Sequence, residues 1–219
     1  MTSRIDSTWR ANDLKVTADG LTFSLLHGDE AMTVRLPVVN RVMADNALLA
    51  AAVGAECGLT LEEIARGLES VRLPGARMQV VKAQGASIIN DAYNANPASM
   101  KAALVALAEF PGALRRIAVL GSMGELGQHA SDLHRSVGEF AVRQDLAFLI
   151  AVGPHAEAYA TGAMAAGLSS QQIVKTLDAK EATVALETVL REGDAILVKG
   201  SHFMGLEKLV AALAGKDAR

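Results

Sequence analysis

The chain has 219 residues, 51% of them hydrophobic, 21% charged and only 4% aromatic, with a formal net charge of -3. This Ala-rich globular composition is long enough for one large domain or one and a half ordinary ones. With 21 Lys and Arg against 24 Asp and Glu, the chain has neither a basic footprint for a phosphate backbone nor the aromatics for base stacking, which excludes nucleic acid as an expected partner.

The first residues, Met1 to Ser7, carry no apolar stretch of the kind that leads a secreted chain, so a cytoplasmic location is expected. The longest apolar runs, such as Ala47 to Ala55 and Ala147 to Val152, fall short of the roughly 20 residues that span a bilayer, and no membrane partner is expected. Leu14, Val16 and Ala18, then Leu21, Phe23 and Leu25, then Met32, Val34 and Leu36 alternate with mostly polar neighbours. That period of two predicts a β-meander turning at Asp19-Gly20 and His27-Gly28-Asp29. Beyond Pro37, Ala44 to Cys57 reads as an Ala/Leu helix closed by Gly58. Cys57 is the single cysteine, which excludes an intrachain disulfide and a Cys-rich zinc site; on an apolar helical stretch it reads as a small core residue. Thr60 with Glu63 predicts a capping box opening a second helix to about Ser70. A meander with two helices looks like the end of a domain, not a whole one.

Leu73-Pro74-Gly75 is the expected boundary, because a Pro-Gly pair between periodic segments turns the chain. After it, Met78 to Val81 and Ala86 to Ile89 predict a hairpin around Gln84-Gly85, and Asn96-Pro97 predicts the start of a helix running to Glu109. Ile117 to Leu120, Phe148 to Val152, Ile173 to Val174 and Ile196 to Val198 are short apolar strands, each followed by a turn and a helical pattern. This alternation predicts an α/β fold with a doubly wound, mostly parallel sheet. Ligands of such sheets bind beyond the carboxyl ends of the strands. Those ends carry Asn90 to Pro97, Gly121 to Gly127, Gly153-Pro154-His155 and Lys199-Gly200-Ser201-His202, so the candidate chemistry falls on one predicted edge.

Taken singly, these features are weak. Gly121-Ser-Met-Gly124-Glu-Leu-Gly127 departs from the dinucleotide fingerprint, since its second glycine follows the first by three residues and not two. No Gly-Lys-Ser or Gly-Lys-Thr occurs, and the one Gly-Lys pair, Gly215-Lys216, precedes Asp217. Asp91 could accept from ribose hydroxyls or merely brace the Asn94-Ala95-Asn96-Pro97 turn. Lys199 suits a carboxylate or phosphate but could equally be a surface lysine, and Arg77 could meet an anionic ligand or form a surface ion pair. His129 and His134 stand five apart, not the four that align two metal ligands on a helix, while His27, His155 and His202 sit singly in turns. No metal site is expected.

The run Asn90-Asp91-Ala92-Tyr93-Asn94-Ala95-Asn96-Pro97-Ala98-Ser99-Met100 resembles the Asp-x-Tyr-Asn-Ala-Asn-Pro-x-Ser-Met signature of the Mur ligases, in the branch that adds D-alanyl-D-alanine. Four further segments are similar to family motifs, in order: Asp45-Asn46-Ala47 with Ala50-Ala51-Ala52, Pro74-Gly75-Ala76-Arg77-Met78, Gly121 to Gly127, and Leu197-Val198-Lys199-Gly200-Ser201. The resemblance implies a three-domain enzyme. Residues 1–76 would be the C-terminal part of its central ATP-binding domain, and residues 77–219 its C-terminal Rossmann-like domain. The implied reaction uses ATP and Mg2+ to activate the carboxylate of UDP-N-acetylmuramoyl-tripeptide as an acyl phosphate, which the amine of D-Ala-D-Ala attacks, in peptidoglycan synthesis.

By position, the resemblance places Asn46 at the adenine edge, Arg77 at the ATP phosphates and Asp91 at the ribose hydroxyls. Tyr93, Asn94 and Asn96 would shape a wall between domains, and Lys199 with Ser201 the edge facing the dipeptide. The family's phosphate loop, its Mg2+ ligands and its UDP-sugar domain have no counterpart in these residues, so this chain alone is expected to be inactive; a monomer is expected. Three departures stand out: Ala76 is inserted before Arg77, Ser122 replaces an acid, and His202 replaces the commoner arginine. A stand-alone Rossmann-like binding module, or another Mur or folylpolyglutamate-type ligase, are the competing readings.

Overall fold

The computed structural model describes residues 3–4, 8–72 and 75–215. Leu73 and Pro74 of the expected boundary turn lie outside the described residues, as do Met1, Thr2 and residues 5–7 of the start and Lys216-Asp217 of the tail. The chain divides into two compact units, Met1–Pro74 and Gly75–Arg219.

In the first unit, β1 (Ser3–Arg4), β2 (Trp9–Thr17), β3 (Gly20–His27) and β4 (Glu30–Leu36) form an antiparallel sheet in that order. The meander starts earlier than the alternation from Leu14 predicts. A bulge between Asn12 and Lys15, with Asp13 at φ 54°, shifts the inward parity from Trp9 and Ala11 to Leu14 and Val16. Helices α1 (Met43–Glu56) and α2 (Leu61–Glu69) cover the apolar face, with Leu48, Ala51 and Ile64 packed against Leu21, Phe23 and Val34. The capping box forms: the Glu63 N–H donates to Thr60 Oγ1 at 3.3 Å and the Thr60 N–H to Glu63 Oε2 at 2.9 Å. One expectation is corrected. Cys57 is exposed and not in the core, because it is the C-cap residue, beyond the face of α1 that buries Ala44, Ala47, Leu48 and Ala51.

The second unit holds a six-stranded sheet ordered β5 (Gln79–Ala83), β6 (Ala86–Asp91), β10 (Asp194–Lys199), β7 (Arg115–Gly121), β8 (Phe148–Val152), β9 (Ile173–Thr176). Only β5 runs antiparallel, through a two-residue turn in which Gln84 and Gly85 both take positive φ, 51° and 75°. The strands are joined by α3 (Pro97–Ala108), α4 (Ala130–Val142), α5 (Ala156–Ala165) and α6 (Ala179–Val189), and α7 (Glu207–Ala214) follows β10. Helices α6 and α7 cover one face, packing on Ile88, Val119, Ile150 and Val198. Helices α3, α4 and α5 lie on the other, over the strand residues of opposite parity such as Ile89, Ala118, Leu149 and Leu197. Strands covered on both faces read as unbroken apolar runs, as β7, β8 and β10 do. The fold is the doubly wound, mostly parallel α/β sheet expected from the sequence.

Two close approaches fix the helix layer. A Cβ on Gly138 of α4 would stand 2.2 Å from the Tyr159 carbonyl oxygen of α5, and one on Gly162 of α5 would stand 2.0 Å from the Arg135 carbonyl oxygen of α4. Away from the carboxyl ends, Arg115 and Asp194 pair at the amino ends of β7 and β10.

Candidate functional site

In the second unit, β10 enters between β6 and β7, although it is last in chain order. The chain therefore leaves β6, passes β10's place and returns to it only after β9, and a change of winding direction of this kind opens a crevice at the carboxyl ends. The ends of β6, β10 and β7 deliver Asp91, Lys199 and Gly121 side by side, with Lys199 in register with Asp91 on one side and Leu120 on the other.

Lys199 is 2% exposed. Its ammonium donates to Asp91 Oδ2 at 2.6 Å and to the Asn94 carbonyl oxygen at 2.7 Å. A buried ammonium survives only when paired and hydrogen-bonded, and here two of its three N–H groups have partners. The resemblance put this ammonium at an edge facing a dipeptide; the structure turns it inward. Asp91 Oδ1 in turn accepts the Met78 N–H at 3.1 Å. Burial pushes the Asp91 carboxyl above its ordinary range, against the pull of Lys199, the Met78 N–H and Arg77.

Arg77 is exposed and stacks its guanidinium over Tyr93, 4.2 Å from the ring centroid. It sits between Ala76 at φ 60° and Met78 at φ 50°. Left-handed backbone at residues with a Cβ is costly, roughly 1–2 kcal/mol each. Here it is held by the Met78 bond to Asp91 and by the Tyr93 N–H, which donates to the Ala76 carbonyl oxygen at 3.1 Å. Asn94 is exposed and accepts the Ala95 N–H through Oδ1 at 2.8 Å, while Asn96 caps α3 by accepting the Ser99 N–H at 2.9 Å. Tyr93, 44% exposed, also faces His202 at 5.7 Å. Asn46 belongs to the first unit, exposed on α1, with its Nδ2 3.4 Å from Met43 Sδ.

The loop after β7 is clamped residue by residue. The Tyr159 hydroxyl donates to the Gly121 carbonyl oxygen at 3.0 Å; Ser122 Oγ donates to the Val152 carbonyl oxygen at 3.3 Å and accepts the His155 N–H at 3.2 Å. The Met123 N–H donates to His134 Nε2 at 2.8 Å and the Gly124 N–H to Ser201 Oγ at 2.9 Å. Ser201 thus shapes this loop from a buried position. Because His134 Nδ1 lies 2.6 Å from the Ala130 carbonyl oxygen, that nitrogen carries the proton and Nε2 is the acceptor.

Sequence reasoning missed this clamp; of the histidines expected singly in turns, His155 and His202 are in turns but against other rings, while His27 lies in a strand. His134 stacks on His155 at 4.3 Å, His27 ends β3 stacked on Trp9 at 4.1 Å, and His202 faces Tyr93. Tyr159, buried on α5, was the available signal, since a buried phenol needs a partner for its hydroxyl.

Residues 76–202 match the family described as Mur ligase, glutamate ligase domain. The chain is 39% identical over 204 residues to UDP-N-acetylmuramoyl-tripeptide--D-alanyl-D-alanine ligase of Mycobacterium leprae, an overlap of 86% of the chain and 40% of that protein. It is 34% identical over 211 residues to the enzyme of the same name from Escherichia coli, covering 95% of the chain and 45% of that protein. The crystal structure of MurF from Acinetobacter baumannii superposes with a TM-score of 0.81 at 31% identity, over 94% of the chain and 45% of that structure. The chain thus spans less than half the length of each of these relatives. On this sequence match and this shared fold, the chain belongs to the Mur ligase family.

Proposed function

We propose that the chain is part of an ATP-dependent ligase that joins D-Ala-D-Ala to UDP-N-acetylmuramoyl-tripeptide in peptidoglycan synthesis, in the cytoplasm and as a monomer. Residues 1–76 are the end of its ATP-binding domain and residues 77–219 its C-terminal domain. The observation that carries this reading is the single network joining Arg77, Asp91, Tyr93, Asn94 and Lys199 at the carboxyl edge of the sheet. These are the residues on which the family resemblance rests, and the relatives' names supply the substrate pair.

The site suits a nucleotide on two counts. A carboxylate has about four lone-pair positions, and Asp91 uses one oxygen for Met78 and one for Lys199, which leaves capacity for ribose hydroxyls. Arg77 presents an exposed, stacked guanidinium whose fork matches phosphate oxygens. Among the described residues no three His, Cys, Asp or Glu side chains converge into a group that could hold Mg2+.

ATP, when bound, supplies the phosphoryl group that makes the tripeptide carboxylate an acyl phosphate open to attack by the dipeptide amine. Arg77 offsets phosphate charge and Asp91 orients the ribose; for Asn46, a residue of the first unit, the family resemblance is what suggests a role toward adenine. Tyr93, Asn94 and Asn96 wall the site, and Ser201 holds the Gly121–Gly127 loop beside it. Holding both reactants in one orientation and excluding water are what this framework contributes. These residues contain no phosphate loop, and the chain on its own turns over no substrate.

Calorimetric titration with ADP tests the reading. Asp91→Asn and Arg77→Ala are each expected to weaken ADP binding about tenfold, one unit of pKd or about 1.4 kcal/mol; both are expected to keep their secondary structure by circular dichroism, with Asp91→Asn melting at a lower temperature because the buried Lys199 ammonium loses its counter-charge. Unchanged affinity in both variants overturns the nucleotide assignment. Phosphate release above background from this chain with ATP and both substrates overturns the claim that it is inactive alone.

A further inference from the structure

We propose that Lys199 is a positioning residue of the nucleotide-facing site, acting on the ligand only through Asp91 and through the turn that carries Arg77. This rests on the nucleotide reading of Asp91 and Arg77 given above.

Lys199 cannot meet a dissolved ligand as it stands, because its side chain is 3% exposed and its ammonium is held between Asp91 and the Asn94 carbonyl oxygen. What it does is set the position of those two groups. Asp91 and Lys199 are in-register neighbours on parallel strands, so their side chains leave the sheet on the same face. The ammonium therefore fixes which way the Asp91 carboxylate faces, and the other carboxylate oxygen takes the Met78 N–H. On the second arm, the ammonium fixes the Asn94 carbonyl and with it the loop bearing Tyr93, whose N–H holds Ala76 and whose ring supports Arg77.

Both arms end on the segment 76–78, where two residues with side chains sit at positive φ. Strain of this kind persists only where the surroundings over-determine it. Without the Lys199 ammonium, the Asp91 carboxylate is a buried charge with no cation in hydrogen-bond contact; it either turns outward or takes up a proton. Either change weakens its grip on the Met78 N–H, and the Arg77 guanidinium loses its fixed direction.

Four forms of the protein test this: wild type, Lys199→Met, Asp91→Asn, and the double variant, which removes both charges together and so avoids an orphaned buried ion. ADP and D-Ala-D-Ala affinities are measured by calorimetry, and the backbone amide signals of Met78 and Tyr93 by NMR. Expected results are an approximately tenfold loss of ADP affinity in Lys199→Met, a loss in the double variant smaller than the two single losses combined, unchanged D-Ala-D-Ala affinity, and displaced Met78 and Tyr93 amides in Lys199→Met.

Additive losses of ADP affinity, or a loss confined to D-Ala-D-Ala, overturn the proposal by making Lys199 a direct contact. If Asp91→Asn leaves ADP affinity intact, the nucleotide reading fails on its own account. Positioning is then decided by the amides alone: displacement in Lys199→Met supports it and unchanged signals overturn it. Should Lys199→Met fail to fold, the double variant is compared with Asp91→Asn. A matching Met78 amide supports action through Asp91, and a differing one overturns it.

Discussion

The imidazole of His134 lies 4.3 Å from that of His155, with the two rings 27° from parallel. Nothing in that stack welcomes a second positive charge. His134 is fully buried, with Tyr159 against its edge and the Met123 N–H aimed at its only lone pair. Burial is the main cause holding its pKa below 6.5, and His155 adds to it, against the raising effect of the Ala130 carbonyl.

The sign of the pH effect follows. The unfolded chain binds the His134 proton more tightly than the folded one, so the stabilisation from the neutral ring is complete above about pH 6.5 and is lost as pH falls from there through the lower folded value. Urea unfolding at pH 7.5 and at pH 5.5 is expected to show a lower midpoint in acid. His134→Phe keeps the ring but leaves the Met123 N–H unpaired, at a cost of about 1–3 kcal/mol. This variant is also expected to lose the His134 part of the acid dependence, and an unchanged slope would show that other groups carry it.

Arg115 and Asp194 form the second ionic lock, with Nε and an Nη donating to the two carboxylate oxygens at 2.8 and 2.7 Å. Asp194 is fully buried at its side chain and Arg115 is 22% exposed. Removing the cation with Arg115→Met strands a buried carboxylate that retains the Arg191 N–H, and chemical denaturation is expected to register about 3 kcal/mol of destabilisation. ADP affinity is expected to stay within twofold, because the pair sits at the amino ends of the strands.

At Gly138, helix propensity and packing oppose each other. Alanine gains about 1 kcal/mol in a helix interior. The added Cβ, however, meets the Tyr159 backbone carbonyl at 2.2 Å, an obstacle that no rotamer change removes. Overpacking costs typically 1–3 kcal/mol, and α5 must move to relieve it. Gly138→Ala is therefore expected to lower the melting temperature, and a rise would mean the two helices separate freely.

Asn96 has a local stabilising role whatever its place in the site. It and Ser99 satisfy each other's backbone N–H groups at the start of α3, ahead of Pro97. Asn96→Ala is expected to cost about 1 kcal/mol in denaturant unfolding, and Asn96→Asp to recover most of it. Equal stability of all three forms would show that α3 is held by its packing alone.

Much of the fold was legible because its signals are local. The capping residues Thr60 and Asn96, the Gln84-Gly85 turn and the unbroken apolar strands each declare an element within a few positions. The start of β2 was not legible, because a bulge swaps inward parity at Asp13 and hides Trp9 and Ala11 from a period-two reading. Cys57 was misplaced because an apolar run says nothing about which helix face ends exposed. The candidate residues Asp91 and Lys199 could be named from the sequence, but not that they bond each other, since 108 positions separate them. The same distance effect concealed the tether between His134 and Met123: a hydrogen bond to a loop amide leaves no pattern in a helix sequence.

The central strand of the sheet is also the last to be made. Until β10 is synthesised, β6 and β7 each show an open edge where it will insert, and unpaired edges invite pairing with other chains. Contacts this distant in sequence form late and slowly. Lys199 ends that strand, so the cation that settles Asp91 arrives only when the sheet closes. Pairing of Asp91 with Lys199 therefore requires that β10 already lies between β6 and β7.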